Sequence, residues 1–221
     1  MKIVSVNIGK IQTHPWRNGT QSALHKFPTQ APISINKLGL EGDEQADLNN
    51  HGGADKAVFI LPENHYQRFK IQQPFGFLGE NLTIEGLDET QVCLGDRFQL
   101  GDLLLEVTQP RSPCWKLGQH ASIQDNWTLS SFLQAYSKEG YVGFYCRVLN
   151  SGTVQAGQSF TWLPDKKSDK ILTIQALFLA KQHYQTVQDQ QLLQTAVKHP
   201  ALSNAWKSSI QSLLTMPLKT S

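Results

Sequence analysis

Cysteine is scarce in this chain. Three occur in 221 residues (Cys93, Cys114 and Cys146), an odd number with no C-x-x-C pair. That leaves too few closely spaced ligands for a zinc site or an iron–sulfur cluster, and it fits a reduced, cytoplasmic compartment. No apolar run is long enough to span a bilayer and no signal peptide is evident, so a membrane association is not expected. The G-x-x-x-x-G-K-[ST] spacing of a P-loop is missing, and so is any flavin or nicotinamide fingerprint. Residues 165–221 contain no arginine: they hold 7 Lys and 3 Asp, a net of +4, against 13 Lys/Arg and 15 Asp/Glu in residues 1–164, a net of −2. Those lysines are dispersed, which argues against a nucleic-acid polymer as partner. There is no internal repeat and no low-complexity tract.

What is present is a sizeable apolar fraction, 39% hydrophobic against 17% charged residues, enough for a real core. Residues 1–164 read as mainly β. Short apolar runs such as Ile3–Ile8, Ala57–Ile60, Asn81–Ile84, Arg97–Leu100, Leu104–Thr108 and Tyr141–Leu149 are separated by Gly, Asn and Asp turns. Gly101-Asp102 between two such runs is a hairpin signal. Many short strands joined this way predict an antiparallel barrel or sandwich. Two short helices are expected here. One follows Pro62, and one spans 128–138 with Thr128 as its cap and Leu129, Phe132, Leu133 and Tyr136 on one face.

Composition changes at Pro164–Lys170, a polar linker. Residues 165–221 therefore form a linker and a second, helical domain. Three helix-length segments carry Ile174/Leu177/Phe178/Lys181, Val187/Leu192/Leu193/Val197 and, capped by Ser203, Trp206/Ile210/Leu213/Leu214. Three short helices make a marginal core, so this unit is expected to lean on the barrel or on a partner. A docking role follows, with the barrel alone holding the site.

The most informative segment is Gln109-Pro110-Arg111-Ser112-Pro113-Cys114. A strand-like run stops at a proline, and a second proline precedes a lone cysteine. Two prolines restrict the loop's shape. Arg111 stands three residues before Cys114, and a nearby guanidinium favours the thiolate, which is both nucleophile and metal ligand. The other reading is a buried cysteine acting as a small hydrophobe. Cys93 and Cys146 lie in apolar runs and are expected in the core.

Other loops carry chemistry-bearing residues. Gly39-Leu40-Glu41-Gly42-Asp43 offers two carboxylates on a tight loop, or else a solvated surface turn. His51-Gly52-Gly53-Ala54-Asp55-Lys56 offers amides that can wrap an anion and a lysine for phosphate; His51 could equally be a turn histidine bonded to backbone. Asn81, in Gly79-Glu80-Asn81-Leu82, supplies donor and acceptor for a heterocycle edge, or simply ends a turn. Cys114 with His51, or less favourably with His120, has the residue types of a nucleophile–base pair.

The order of these motifs is more specific than any one of them. Ile8–Gln12, Gly39–Gln45, His51–Gly53, Gly79–Leu82 and Gln109–Cys114 together resemble the MOSC domain family, named for the C-terminal domain of molybdenum-cofactor sulfurase, and its free-standing YiiM-type members most closely. The resemblance covers residues 1–164, and the tail is similar to the small helical domain that follows MOSC in such proteins. It implies a β-barrel in which Cys114 is the essential residue, ligating the molybdenum of a pterin cofactor or handling sulfur. It further implies reduction of N-hydroxylated bases and related compounds, with Glu41, Asp43, His51, Gly52, Gly53, Lys56, Asn81 and Arg111 holding the cofactor or polarising substrate. Two positions depart from the family: Lys56 stands where relatives often have Arg, and Trp115 where a smaller aromatic is common. Electrons would come from a separate reductase, the cofactor from its pathway proteins, and a homodimer is compatible. No Schiff-base lysine context is recognisable, so pyridoxal phosphate is not expected, nor is a flavin or iron–sulfur cluster. The rival readings are a molybdenum-cofactor carrier or sulfur-transfer protein with a Cys114 persulfide, and a metal-free cysteine hydrolase or transferase using Cys114 and His51.

Overall fold

The computed structural model describes residues 1–47, 52–168 and 170–219. The apolar runs become strands β1 (Lys2–Ile8), β2 (Gln12–His14), β3 (Thr20–Ser22), β4 (Phe27–Pro28), β5 (Ile33–Asn36), β6 (Gly39–Leu40), β7 (Val58–Pro62) and β8 (Leu82–Glu85). They continue as β9 (Arg97–Leu100), β10 (Leu103–Pro110), β11 (Phe144–Asn150), β12 (Gly152–Val154) and β13 (Thr161–Leu163). Eight of these form one sheet in the order β13-β9-β10-β11-β7-β8-β1-β4. The sheet curls into a half-barrel, and β1 reaches round to the segment that precedes β13. Ile3 donates its N–H to the Gln158 carbonyl (2.9 Å) and accepts from Gly157 (2.8 Å), and Lys2 bridges Ser159 just before β13.

The sheet is mixed rather than wholly antiparallel, because β7 and β8 run parallel. Their connection crosses over and carries the short helix α1 (Asn64–Arg68), as parallel neighbours require. In β7 every residue is buried. Val58 and Ile60 enter the barrel core with Val6, Leu105, Val107 and Phe144. Phe59 and Leu61 point the other way, into a second, helical core. A strand covered on both faces loses the alternating pattern, which explains its unbroken apolar run.

Helix α2 (Trp115–Ala121) begins directly after Cys114 and was not evident in the sequence. Helix α3 (Leu129–Lys138) has the expected Thr128 cap, with Ser131 completing a capping box. The two touch at Gly118, where a Cβ would lie 2.7 Å from the Leu129 carbonyl oxygen. The tail folds as α4 (Ile174–His183), α5 (Val187–Lys198) and α6 (Asn204–Leu214), capped by Thr173, Thr186 and Ser203. Val187, expected on an apolar face, is exposed at the first position of α5. Leu177, Leu193, Trp206 and Ile210 share the helical core with Leu117, Phe132, Tyr136 and Phe59. Backbone bonds from Leu94 to Leu172 and from Ile174 to Val92 tie the tail's entry to the barrel, both at 2.9 Å. Among the described residues no helix is long and apolar enough to cross a membrane.

Candidate functional site

Strand β10 delivers the cysteine loop. Its last turn is held from two directions. Arg111 donates its N–H to the Gly143 carbonyl (3.0 Å), and the Gln109 side chain accepts from Ser203 (2.6 Å). Cys114 then takes extended backbone (φ −122°, ψ 166°) as the residue before α2. Its carbonyl accepts the N–H of Leu117 (3.0 Å). The partly exposed thiol is thus fixed between a strand end and a helix start.

Gly143 is itself set by a buried pair. His65 and Glu89 meet at 2.9 Å, both side chains fully buried, and Glu89 accepts the Gly143 N–H at 2.5 Å. Gly143 has φ +73°, and a Cβ there would meet the Phe59 ring at 2.6 Å, so no other residue fits without rearrangement.

Arg111 is only 5% exposed. Its guanidinium lies 4.9 Å from the Phe59 ring centre and 5.8 Å from that of Tyr136. Among the described residues it forms no ion pair with a carboxylate, and its buried Nη1 has no hydrogen-bond partner. Burial works against its charge, yet Tyr136, Tyr145 and Cys114 hold its pKa above the ordinary arginine value. The influence is mutual: a cation this close to Cys114 favours the thiolate. Burial pushes the pKa of Tyr136 and Tyr145 up, so both remain O–H donors at neutral pH.

Asp43 and Asn81 knit three loops together. One Asp43 oxygen accepts from Gly9 N–H (2.7 Å) and Lys26 (2.5 Å). The other accepts from the Asn81 amide (2.9 Å). The Asn81 carbonyl oxygen accepts the Phe59 N–H (3.0 Å). The polar atoms expected to read a heterocycle are therefore engaged in holding the walls. Lys56 is half-buried, which lowers its pKa against the opposing pull of Asp47 and Asp55.

One pocket gathers Asp43, Lys56, Asn81, Arg111 and Cys114, and adds Lys26, Phe59, Lys116 and Tyr145. Glu41, Gly52 and Gly53 are not on its walls, and Glu41 is exposed on the turn after β6. Gly53 (φ +95°) instead shapes the turn that presents Lys56, whose N–H it accepts (2.9 Å). His51 lies outside the described residues. His120 faces other rings, 4.3 Å from Phe77 and 5.0 Å from His25. Burial, then His25 and His14, lowers its pKa to about 3. No described histidine lines the pocket. Cys93 and Cys146 are buried in the core, as expected. Tyr145 could have been found by pairing, since it sits opposite Gln109 in the β10–β11 ladder. Nothing local in the sequence marks Lys26.

The model of the MOSC domain matches residues 47–161. This chain belongs to the MOSC domain family. It is a free-standing, YiiM-type member. YiiM of Escherichia coli (strain K12) is 36% identical over 217 residues, covering 94% of this chain and 90% of that protein. The crystal structure of YiiM from Geobacillus stearothermophilus superposes with a TM-score of 0.74 at 31% identity, covering 96% of this chain and 98% of that one. A protein of Gibberella moniliformis (strain M3125 / FGSC 7600) named a reductase is 31% identical over 169 residues, 73% of this chain but 29% of its own length. MOSC membership associates the chain with the molybdenum cofactor.

Proposed function

We propose that this chain is the molybdenum-cofactor-binding component of a reductase for N-hydroxylated bases and related compounds, with electrons delivered by a separate reductase protein. The observation that carries the reading is Arg111, a buried cation with an unpartnered Nη1 beside Cys114. A buried guanidinium N–H left without an acceptor costs about 1–3 kcal/mol unless a ligand oxygen completes it. The pocket adds Lys56 and Lys116 to the same wall. An anionic cofactor with a soft metal answers both features: the cations take its charge, and a thiolate suits the metal. Among the described residues no group of three or more His, Cys, Asp or Glu is placed to hold a bare ion. Cys114 would supply a thiolate ligand to the metal of such a cofactor. When bound, the cofactor supplies the two-electron chemistry that breaks the N–O bond. Arg111 and Lys56 would hold its charge, and Tyr145 would be an O–H donor on the wall for the leaving oxygen. The overall change uses two electrons and two protons and releases water.

Expression in a host that makes the cofactor tests this. Bound molybdenum and pterin, with turnover of an N-hydroxylated base driven by a reduced dye, support the proposal. Cofactor bound without turnover, but passed on to a cofactor-free molybdoenzyme, identifies a carrier instead. Thiol-dependent hydrolysis by protein free of pterin and metal identifies a cysteine hydrolase.

A further inference from the structure

A buried carboxylate is costly unless its bonds are filled. Glu89 is wholly buried in the loop between β8 and β9. It meets His65 of α1 at 2.9 Å, and the proposed chemistry uses neither residue. Apolar side chains in place of such a pair are often neutral or stabilising, so stability alone does not account for it. What the pair holds does. The Glu89 carboxylate accepts the Gly143 N–H at 2.5 Å, from a residue 54 positions away. His65 Nε2 faces the same carboxylate as its donor, and His65 Nδ1 has no partner among the described residues. The Glu89 carbonyl accepts the Gln175 N–H at 3.0 Å, which ties this loop to the first turn of α4.

Two consecutive carbonyls beside Glu89 lead to Arg111. That of Gly143 accepts the Arg111 N–H at 3.0 Å. That of Val142 accepts the Tyr136 hydroxyl at 3.3 Å. The Arg111 guanidinium lies 5.8 Å from the Tyr136 ring centre. Burial raises the Tyr136 pKa first; Arg111 then pulls it down and Glu89 pushes it up, so this phenol stands in the field of both. The 142–143 segment thus reaches Arg111 by two routes, one through the main chain and one through the Tyr136 side chain. A glycine backbone has many accessible torsions, so an acceptor from outside is needed to select one orientation of this peptide. Glu89 is that acceptor.

We infer that Glu89 and His65 are positioning residues for Arg111. The carboxylate orients the Gly143 peptide and His65 orients the carboxylate. The 142–143 segment passes that order to the Arg111 main chain and to the Tyr136 hydroxyl. Neither Glu89 nor His65 lines the pocket that holds Cys114, so both act through Arg111. The placement of Arg111 stands on these contacts alone; only its consequence for cofactor retention rests on the proposed function.

Nuclear magnetic resonance of the full chain, without added cofactor, reads the Arg111 Nε–H group, assigned by its loss in Arg111→Met. The rings of Phe59 and Tyr136 should displace this resonance from the position of an exposed arginine. Glu89→Gln keeps the reach of the side chain and an acceptor oxygen, and should leave the resonance in place. Glu89→Asp keeps the charge but is one methylene shorter, and should move the resonance toward the exposed position. Urea midpoints check that both fold. Where Glu89→Asp does not fold, the apolar pair His65→Leu with Glu89→Leu replaces it under the same expectation. An unmoved resonance in the folded Asp or Leu variant overturns the inference. So does an equal displacement in Glu89→Gln, which would make charge rather than reach the cause. Failure of every variant to fold makes the pair structural and overturns it too. After co-expression with the cofactor pathway, pterin content should fall at least about fivefold in Glu89→Asp and hold in Glu89→Gln. Pterin that holds in Glu89→Asp despite a displaced resonance, or a wild-type protein that never retains pterin, counts against the proposed function. The Arg111 resonance still decides this inference.

Discussion

The Ser203 hydroxyl donates to Oε1 of Gln109 across 2.6 Å, and both residues are buried. This one bond joins the start of α6 to the residue that opens the cysteine loop. Ser203 Oγ also caps α6 by accepting the Trp206 N–H at 3.1 Å. Ser203→Ala should therefore cost about 1–3 kcal/mol, from the lost cap and the stranded Gln109 oxygen. Urea unfolding measures it, and a double-mutant cycle with Gln109→Ala should show coupling. A cost within error of zero would mean that the tail does not hold the loop.

Cys114→Ser should abolish turnover with an unchanged urea midpoint, because serine stays protonated and ligates soft metals poorly. Cys146→Ser should instead destabilise by about 1–3 kcal/mol, since a hydroxyl enters apolar packing. Cys93→Ser should cost less, because its sulfur already faces the Gln91 carbonyl (3.7 Å), which a hydroxyl can reach. Full activity in Cys114→Ser removes both the ligand and the sulfur-transfer roles.

Arg111→Met separates function from stability. An exposed arginine would contribute little to the fold, but this one is buried without a carboxylate partner. An apolar side chain of similar length should leave the cofactor-free protein as stable, or more stable by about 1–2 kcal/mol. Pterin content after co-expression should fall at least about tenfold, the effect of losing one charge-assisted contact. A destabilised protein that keeps its pterin would make Arg111 a structural residue.

His120 gives the fold an acid sensitivity. Its pKa is lowered to about 3 by burial first, then by His25 and His14. Between that value and the ordinary histidine value the unfolded chain binds more protons than the native one. Stability should then fall as pH drops from about 6.5 toward 3. His120→Phe keeps a ring against Phe77 and removes the titration, so urea midpoints across this range should vary less. An unchanged pH slope in that variant would place the sensitivity elsewhere.

A chain ending near Pro164 should aggregate. Without α4–α6, the core residues Leu117, Phe132 and Tyr136 lose their cover of Leu177, Leu193 and Trp206. Each such side chain left exposed costs about 1.5–3 kcal/mol. Size-exclusion chromatography and circular dichroism read the outcome. A soluble, folded product that binds cofactor would restore the expectation of a purely docking tail.

The sequence by itself determined most of the local structure. Turn glycines, apolar runs and the Thr128 and Ser203 caps act over a few residues, so strands, hairpin and five helices were legible. The order of motifs fixed the family and singled out Cys114 and Arg111. Tertiary structure decided the rest. Helix α2 is short and contains Gly118, whose advantage lies in contact with α3 rather than in its own turn. Asp43 and Asn81 read as ligand groups because their chemistry is visible and their partners are not. Gly9, Lys26 and Phe59, which engage them, come from three other segments. The parallel β7–β8 pair, the His65–Glu89 pair and the cover over the helical core likewise depend on residues far apart in sequence. Propensity is local, whereas burial and charge pairing are properties of which segments meet.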